Sequence, residues 1–282
     1  HEEVAPERMG NAYNLAYALI PFLMAYNANC PWFGGKLLWD VTRIPIWMGS
    51  IGQNDHRVIR TLPVGYLPEN DAAAYHTWVQ RHLELERPCF VPPDEEDADS
   101  WTLLCHWVGT CWEWVRPIVG NAPEPHVRLE IRPFCSPMSL DDGIALAALT
   151  HGVFSGFAET SAEELCSEAD VRANFEACAR YGLRATVRVR GHTRPVVEVL
   201  KELLEVARKG LRSQGLPDDE IETALAPVDV VLGREQNGAI WMRRGVQALR
   251  EQGASDEEIG QQILRSIMRQ CSSTVGGWSP LA

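Results

Sequence analysis

The sequence predicts an α+β fold, with a mainly antiparallel sheet followed by a helical C-terminal region. The first observation is the strict alternation of apolar and ionisable residues over 126–132, as on the two faces of a β-strand. The second is a similar stretch just before the turn at 120–123, which predicts that two neighbouring strands pair. The third is the helical spacing of apolar residues in the segments that follow Pro195.

The first of these strands has two chemically different faces. Its aliphatic residues are Val127, Leu129 and Ile131, and its ionisable residues are His126, Arg128, Glu130 and Arg132. The aliphatic face is expected to pack into a core, which leaves two guanidiniums, a carboxylate and an imidazole in a row on the other face. Alternating charge of this kind is most often a solvated face with cross-strand ion pairs, so the pattern alone leaves both interpretations open.

The neighbouring strand is expected to start near Trp101, after an acidic loop at 91–99, and to end at Pro117. Its residues of one parity are Thr110, Trp112, Trp114 and Arg116. Aromatic and cationic groups would therefore share a face beside the ionisable row.

These residues together resemble a known family. The pattern H-x-R-x-E-x-R, with a proline-bearing loop and a small-residue helix at 144–152, looks like the end of a glutamine-synthetase-type catalytic sheet. The longer pattern is similar to the bacterial glutamate–cysteine ligase (carboxylate–amine ligase) family; it comprises His106, Gly109-Thr110, Trp114, Arg116-Pro117 and the strand from His126. The resemblance implies a curved sheet backed by helices. The sequence departs from the family near Glu113 and Val115 and at 135–137, where Cys-Ser-Pro replaces a Gly-Pro loop.

The resemblance implies ATP-dependent ligation of a carboxylate, the glutamate side chain, to the amine of cysteine or a similar amino compound through an acyl phosphate, with ATP and Mg²⁺ as cofactors. Arg128 would lie toward the nucleotide phosphates and Arg132 toward the acid substrate, because guanidiniums are two-pronged anion donors. Glu130 offers the carboxylate oxygen that a hard cation needs, with His126 as the second implied metal ligand. Arg116 would contact substrate or phosphate.

Two residues outside the strand complete the implied nucleotide side. His106 opens the resembling pattern, and the segment from Trp39 to Arg43 resembles the W-x-x-T-R element of the family. Arg43 is therefore a candidate active-site cation, and Asp40 is its possible orienting partner. A surface ion pair is the alternative interpretation.

Other functions stay open at this point. Within enzymes, the rival is a carboxylate–amine ligase with a different amine; outside them, it is a non-catalytic remnant, or a binding or regulatory subunit, that kept the fold. A zinc site built from Cys105, His106, Cys111 and His126 is disfavoured because paired ligand spacing is missing.

Composition bounds the partners. The net charge of −12 argues against nucleic acid, and small molecules (ATP and amino acids) are expected instead. The most apolar run, 15–25, is too short for a bilayer and contains Pro21, so a soluble cytoplasmic protein without membrane contact is expected. The eight cysteines form no regular framework, which favours reduced thiols. A homo-oligomer stays open.

Residues 1–160 are expected to carry three helices. They are a core helix from Pro6 that stops near Asn27, an amphipathic helix over 69–85 capped by Asn70 or Asp71, and a helix over 144–157 packed against a sheet. Because the resemblance places His1 at the tail of a mid-chain strand, a missing N-terminal segment with further metal-binding glutamates is expected, and little activity from this chain alone. Residues 1–160 would form the C-terminal portion of the catalytic domain and 161–282 a mostly helical region.

Within 161–282, a short helix should begin at 160–164, and 184–190 should form a surface hairpin. Three longer helices should follow: one ending near Gly215, one from Val230 to Leu249, and one over 256–270 capped by Ser255. The tail from Cys271 is expected to be loose.

Overall fold

The computed structural model describes residues 2–52, 66–69, 73–83, 99–109, 113–120, 124 and 126–281. The chain divides into two compact units, the first made of His1–Tyr17 with Pro45–Arg132 and the second of Ala18–Ile44 with Pro133–Ala282. The described residues combine many helices with short antiparallel sheets, as expected for an α+β protein. A glutamine-synthetase-type curvature of the sheet stays a prediction.

The sheet of the first unit contains β1 (Glu2–Val4), β4 (Val115–Gly120) and β5 (His126–Ile131) in the antiparallel order β1-β5-β4. The predicted alternation of β5 is confirmed for its apolar face, because Val127 and Leu129 are buried. Pro117 lies inside β4, opposite Leu129, and does not end the strand as predicted. A proline fits there because β4 lies at the edge of the described sheet, where an outward amide needs no partner.

The helices of the first unit correct one prediction. They are the N-terminal part of α1 (Met9–Asn27), most of α2 (Arg43–Gly52), α3 (Ala74–Leu83) and α4 (Ser100–Gly109), and a 3-10 turn at Pro6–Arg8 precedes α1. The prediction of a strand near Trp101 is wrong, because Trp101 lies in α4. Its apolar residues follow a helical spacing, and the carboxylate of Asp99 accepts the backbone N–H of Thr102 at 2.8 Å. Thr110, Trp112 and the predicted caps Asn70 and Asp71 lie outside the described residues.

The second unit is mostly helical. Two short hairpins pair β2 (Trp32–Phe33) with β3 (Lys36–Leu37) and β6 (Thr186–Val189) with β7 (His192–Pro195), and the second confirms the predicted surface hairpin. The helices are α5 (Leu140–Gly156), α6 (Ala162–Leu165), α7 (Glu168–Tyr181), α8 (Val196–Ser213), α9 (Asp218–Arg234), α10 (Gly238–Glu251) and α11 (Asp256–Gln270). Ser255 caps α11 as predicted, in a reciprocal capping box with Glu258.

Two predictions for this unit are wrong. The helix expected from Val230 to Leu249 is two helices, because Glu235 adopts a left-handed conformation (φ 48°) and the side chain of Asn237 caps α10. The tail is not loose. Trp278 is buried against Trp241 with ring centroids 5.1 Å apart, and the indole of Trp241 donates to the carbonyl of Ser279 at 2.7 Å. Burial of the large Trp278 side chain stabilises this packed position of the tail.

Within the second unit, helix α5 packs closely against helix α8, and its expected packing against a sheet stays a prediction. A Cβ added to Gly152 would lie 2.8 Å from the Cα of Ala207 in α8, and one added to Gly156 would lie 2.7 Å from the carbonyl oxygen of Val206. The small residues of α5 therefore let two helix backbones approach each other closely.

Candidate functional site

The ionisable face of β5 lies beside β4, and its central feature is a carboxylate between guanidiniums. Arg116 stands directly opposite Glu130 in the register, so their side chains share one face. The Nη2 of Arg116 is 2.8 Å from the Oε2 of Glu130, and the Nε of Arg132 is 3.8 Å from the same oxygen. These side chains are 15%, 23% and 25% exposed for Arg116, Glu130 and Arg132, so the group is only partly screened by solvent.

The other end of the face holds an imidazole–guanidinium contact. The Nη1 of Arg128 is 2.7 Å from the Nε2 of His126, and the Nδ1 of His126 is 2.9 Å from the carbonyl oxygen of Glu124. A carbonyl only accepts and a guanidinium only donates, so Nδ1 carries the proton and Nε2 accepts. The imidazole therefore orients the head of Arg128.

A glycine makes room for this imidazole. Gly120 lies opposite His126 in β4, and a Cβ at Gly120 would overlap the imidazole ring and lie 3.3 Å from the Nη1 of Arg128. The ring can rest across the neighbouring strand only because residue 120 has no side chain.

Arg116 also has partners outside the sheet. Its Nη1 donates to the carbonyls of Val108 and Gly109, at 3.2 and 3.3 Å, which are the last two residues of α4. A cation at the C-terminus of a helix satisfies end carbonyls and complements the helix dipole. Arg116 therefore ties α4 to Glu130, in addition to any contact with a ligand.

An aromatic pair lies beside Arg132. The guanidinium carbon of Arg132 is 6.0 Å from the ring centroid of Trp47, and the Trp47 and Trp114 rings are 6.1 Å apart. The backbone N–H of Arg132 donates to the carbonyl of Trp114 at 2.9 Å. Sequence reasoning missed Trp47, because no local pattern joins it to a residue 85 positions later.

Near Arg116 the first unit has a cavity of about 110 Å³. The lining residues are mostly apolar and aromatic: Tyr75, Trp101, Leu104, Cys105, Val108, Gly109, Arg116, Ile118 and Val119. Among these described residues, Arg116 is the one with a permanent charge. A space of this size accommodates a small group only.

A buried acid just before β4 was also missed as a structural feature. Glu113 is 1% exposed, and its Oε2 accepts from the hydroxyl of Tyr13 at 3.3 Å and the indole of Trp78 at 3.0 Å. Burial, and next the charge of Glu113, raise the pKa of Tyr13 well above its usual value, so this hydroxyl stays a donor. Glu113 therefore joins α1, α3 and the start of β4, at a position where the resemblance implied a basic residue.

The structure brings most of the predicted residues of the first unit together. Arg116, Arg128, Arg132, Glu130 and His126 lie on or next to β4 and β5, and His106 lies in α4, the helix whose end contacts Arg116. Arg43 belongs to the second unit, at the start of α2, where its Nη1 donates to the carbonyl of Phe134 at 3.2 Å.

The expectation that Asp40 orients Arg43 is wrong. The Oδ1 of Asp40 instead accepts from Arg184 at 2.9 Å and Arg243 at 2.5 Å, and its side chain is fully buried. A buried carboxylate needs such compensation, and two guanidiniums from distant segments supply it.

The described residues offer Mg²⁺ few ligands in one place. Within the part of the chain that the structure describes, no three His, Cys, Asp or Glu side chains are placed to hold a metal ion. Glu130 faces two guanidiniums, and the Nε2 of His126 accepts from Arg128. Among the described residues of this face, Glu130 is therefore the one carboxylate available as a ligand for Mg²⁺, an ion that takes its other oxygen ligands from water and substrate phosphates. Of the four residues of the zinc alternative, Cys111 lies outside the described residues.

Comparison with known proteins points to a ligase. The family model described as "Glutamate-cysteine ligase family 2 (GCS2)" matches residues 4–265, which is most of the chain, and this chain belongs to that family. The resemblance seen in the sequence is thereby confirmed. No curated protein matches the chain. None of the helices in the described residues is both long and apolar enough to cross a membrane.

Proposed function

We propose that this protein ligates a carboxylate, the side chain of glutamate, to the amine of cysteine or a similar amino compound, with ATP as the energy source. The observation that carries the proposal is the ionisable face of β4 and β5. This face carries three guanidiniums, an imidazole and one carboxylate on or next to two paired strands. The chain that carries it belongs to a ligase family.

The chemistry needs positive charge that is fixed in advance. An oxygen of the substrate carboxylate attacks the γ-phosphorus of ATP, the bond to the bridging oxygen breaks, and ADP leaves with its electron pair. The amine then attacks the acyl carbon of the acyl phosphate, inorganic phosphate leaves, and the amine loses a proton. Negative charge collects on phosphoryl oxygens in the first step and on the carbonyl oxygen in the second. Guanidiniums held by protein contacts stabilise such charge without reorganising.

We assign different ligands to the two arginines of β5. Arg128, whose head is oriented by His126, would face the nucleotide phosphates, with His106 and Arg43 on the nucleotide side. Arg132, which lies beside the Trp47 ring, would face the carboxylate of the acid substrate. Arg116 would contact substrate or phosphate through Nη2, the donor that lies beside Glu130.

Glu130 is the proposed protein ligand for Mg²⁺, with His126 second. The donor type fits, and no reaction step is assigned to the ion here. The guanidiniums of Arg116 and Arg132 lie beside this carboxylate, and His126 orients the head of Arg128.

One observation favours a second candidate. The short Arg116–Glu130 contact is also what a purely structural ion pair would look like, and it fits a non-catalytic subunit that kept the fold. A catalyst and a binding subunit differ in whether bound ATP is consumed.

The decisive experiment measures ADP release and product mass for the intact protein with Mg²⁺-ATP. Glutamate and cysteine are supplied together, separately, and with other amines in place of cysteine. We expect ADP release to depend on both substrates and a new amide to appear in the mass spectrum. Turnover with another amine would correct only the substrate. Tight ATP binding with no ADP in any mixture would support the binding subunit.

A further inference from the structure

Two cysteines that are far apart in the sequence meet in the second unit. The Sγ atoms of Cys30 and Cys135 are 3.4 Å apart, and both thiols are free. Cys30 follows α1, and Cys135 lies in the loop that precedes α5. Sulfur atoms at this distance are in van der Waals contact, and a modest side-chain rotation would bring them to the roughly 2.05 Å of an S–S bond.

The backbone around the two thiols is already joined. The side-chain amide of Asn29 donates to the carbonyl of Ser136 at 2.7 Å, and Arg43 donates to the carbonyl of Phe134 at 3.2 Å. The residues on either side of the thiol pair are therefore held together without a covalent bond. A disulfide would form with little backbone movement, which is the usual obstacle to bridging two cysteines.

The environment makes the two sulfurs unequal. A hydrogen bond with Cys135 lowers the pKa of Cys30 to about 7; burial opposes this, and the backbone N–H groups and charge at the start of α2 assist it. For Cys135 the hydrogen bond with Cys30 and burial raise the pKa. Cys30 is partly exposed, whereas Cys135 is buried. A partly exposed thiolate near a cation and a helix N-terminus is the typical setting of a reactive cysteine.

We propose that Cys30 and Cys135 form an oxidisable dithiol, in which Cys30 reacts with a small hydroperoxide and Cys135 closes the disulfide. The Cys30 thiolate attacks one peroxide oxygen, the O–O bond breaks, and the leaving hydroxide takes up a proton to become water (an alcohol for an organic hydroperoxide). Cys135 then attacks the Cys30 sulfur, the S–O bond breaks, and the hydroxide leaves with the Cys135 proton as a second water. The two thiols lose two electrons, which reduce the peroxide, and an added dithiol reverses the change by exchange.

The thiol pair includes none of the residues of the ionisable face of β4 and β5, and the inference does not rest on the proposed ligase function. Its consequence is mechanical. The bond would close a large loop of chain, and we expect it to raise the Tm by roughly 5–10 °C, since long closed loops restrict the unfolded chain most.

The test exposes the fully reduced intact protein to one equivalent of hydrogen peroxide and blocks remaining thiols with N-ethylmaleimide. Peptides are then mapped by mass spectrometry without reduction. We expect the peptides of Cys30 and Cys135 to be joined, with the mass of two hydrogen atoms lost, and to separate after dithiothreitol. In the Cys135→Ser variant, dimedone should trap a sulfenic acid on Cys30. Alkylation of Cys30 should speed up nearly tenfold per pH unit below pH 7 and level off above it, following the thiolate fraction.

The exposed cysteines Cys105 and Cys271 serve as internal controls in the same digest. The proposal is overturned if both Cys30 and Cys135 carry the maleimide after peroxide while the control cysteines are oxidised. It is also overturned if either cysteine is found joined mainly to a third one. If the serine variant does not fold, as judged by circular dichroism, the map of the unmutated protein decides alone.

Discussion

Whether Glu130 takes part in the reaction, or only pairs with Arg116, is decided by a double-mutant cycle. The variants are Glu130→Gln, which keeps the shape and removes the charge, Arg116→Met, which keeps the aliphatic stem, and the two together. The stability and the turnover of each variant are measured separately. Loss of a structural ion pair lowers stability in either case, whereas loss of a reacting group also lowers turnover.

The structure sets the expected size of the stability effect. A charge-assisted hydrogen bond at 2.8 Å contributes about 1.5–3 kcal/mol, but these side chains are 15% and 23% exposed, and solvent reduces the coupling to about 1–2 kcal/mol. The double variant should therefore lose less stability than the sum of the single ones, by that amount. The assay is denaturation in urea, with Tm as a second measure.

Turnover should behave differently. If Glu130 acts on the reaction, Glu130→Gln should lower ATP turnover by about a hundredfold or more, and by a similar factor when Arg116 is already Met. Should Glu130→Gln have no further effect in the Arg116→Met background, Glu130 would act only through its partner. Near-normal turnover in Glu130→Gln alone would return β5 to the interpretation of a solvated face with ion pairs.

Three further sets of substitutions test other contacts of the fold. Arg128→Ala should weaken the use of ATP and Arg132→Ala the use of the acid, each by roughly ten- to a hundredfold, with only partial rescue by lysine; equal losses for both substrates in both variants would refute the assignment. Gly120→Ala should push the His126 imidazole aside and weaken ATP use as Arg128→Ala does, whereas Gly233→Ala, at an exposed position of α9 with open space around it, should change little; equal losses in the two variants would contradict this packing argument. Asp142→Asn should destabilise the protein by about 2–3 kcal/mol and expose the tail from Cys271 to proteolysis, because the carboxylate accepts from Thr274 and the backbone of Val275; a tail that stays protected would refute this role.

The ionisable face was open to prediction because its defining contacts are local. His126 and Arg128 are two residues apart, and Arg116 meets Glu130 through the pairing of two strands that are close in the sequence. Alternation along one strand fixes which side chains share a face, and a hairpin fixes which residues stand opposite. Both facts can be read from about twenty residues of sequence.

The strand predicted near Trp101 was wrong because a local pattern changes its period within a few residues. The aromatic and apolar residues from Trp101 to Val108 satisfy a helical spacing, but the residues after them continue into a strand, and a single period was assumed for both. The start of this helix is marked by Asp99, which caps it, but Asp99 is also the last residue of an acidic run that is typical of a loop. The tail was misjudged because its buried Trp278 depends on a partner 37 positions earlier.

What sequence could not reveal is the set of buried acids that hold distant segments together. Asp40 meets Arg184 and Arg243, and Glu113 meets Tyr13, in each case at least 100 positions away. No periodicity connects such residues, and the pairing that sequence did offer for Asp40, with Arg43, was the local one. The distinction bears on function. A local sequence pattern identifies the side chains that a ligand could contact. Packing between distant segments determines which protein groups those side chains contact when no ligand is bound. Arg116 is the case in point, since sequence places it beside Glu130 and only the fold shows that it also holds the end of α4. Its substitution therefore changes structure and site together, which is why the cycle above measures stability and turnover separately.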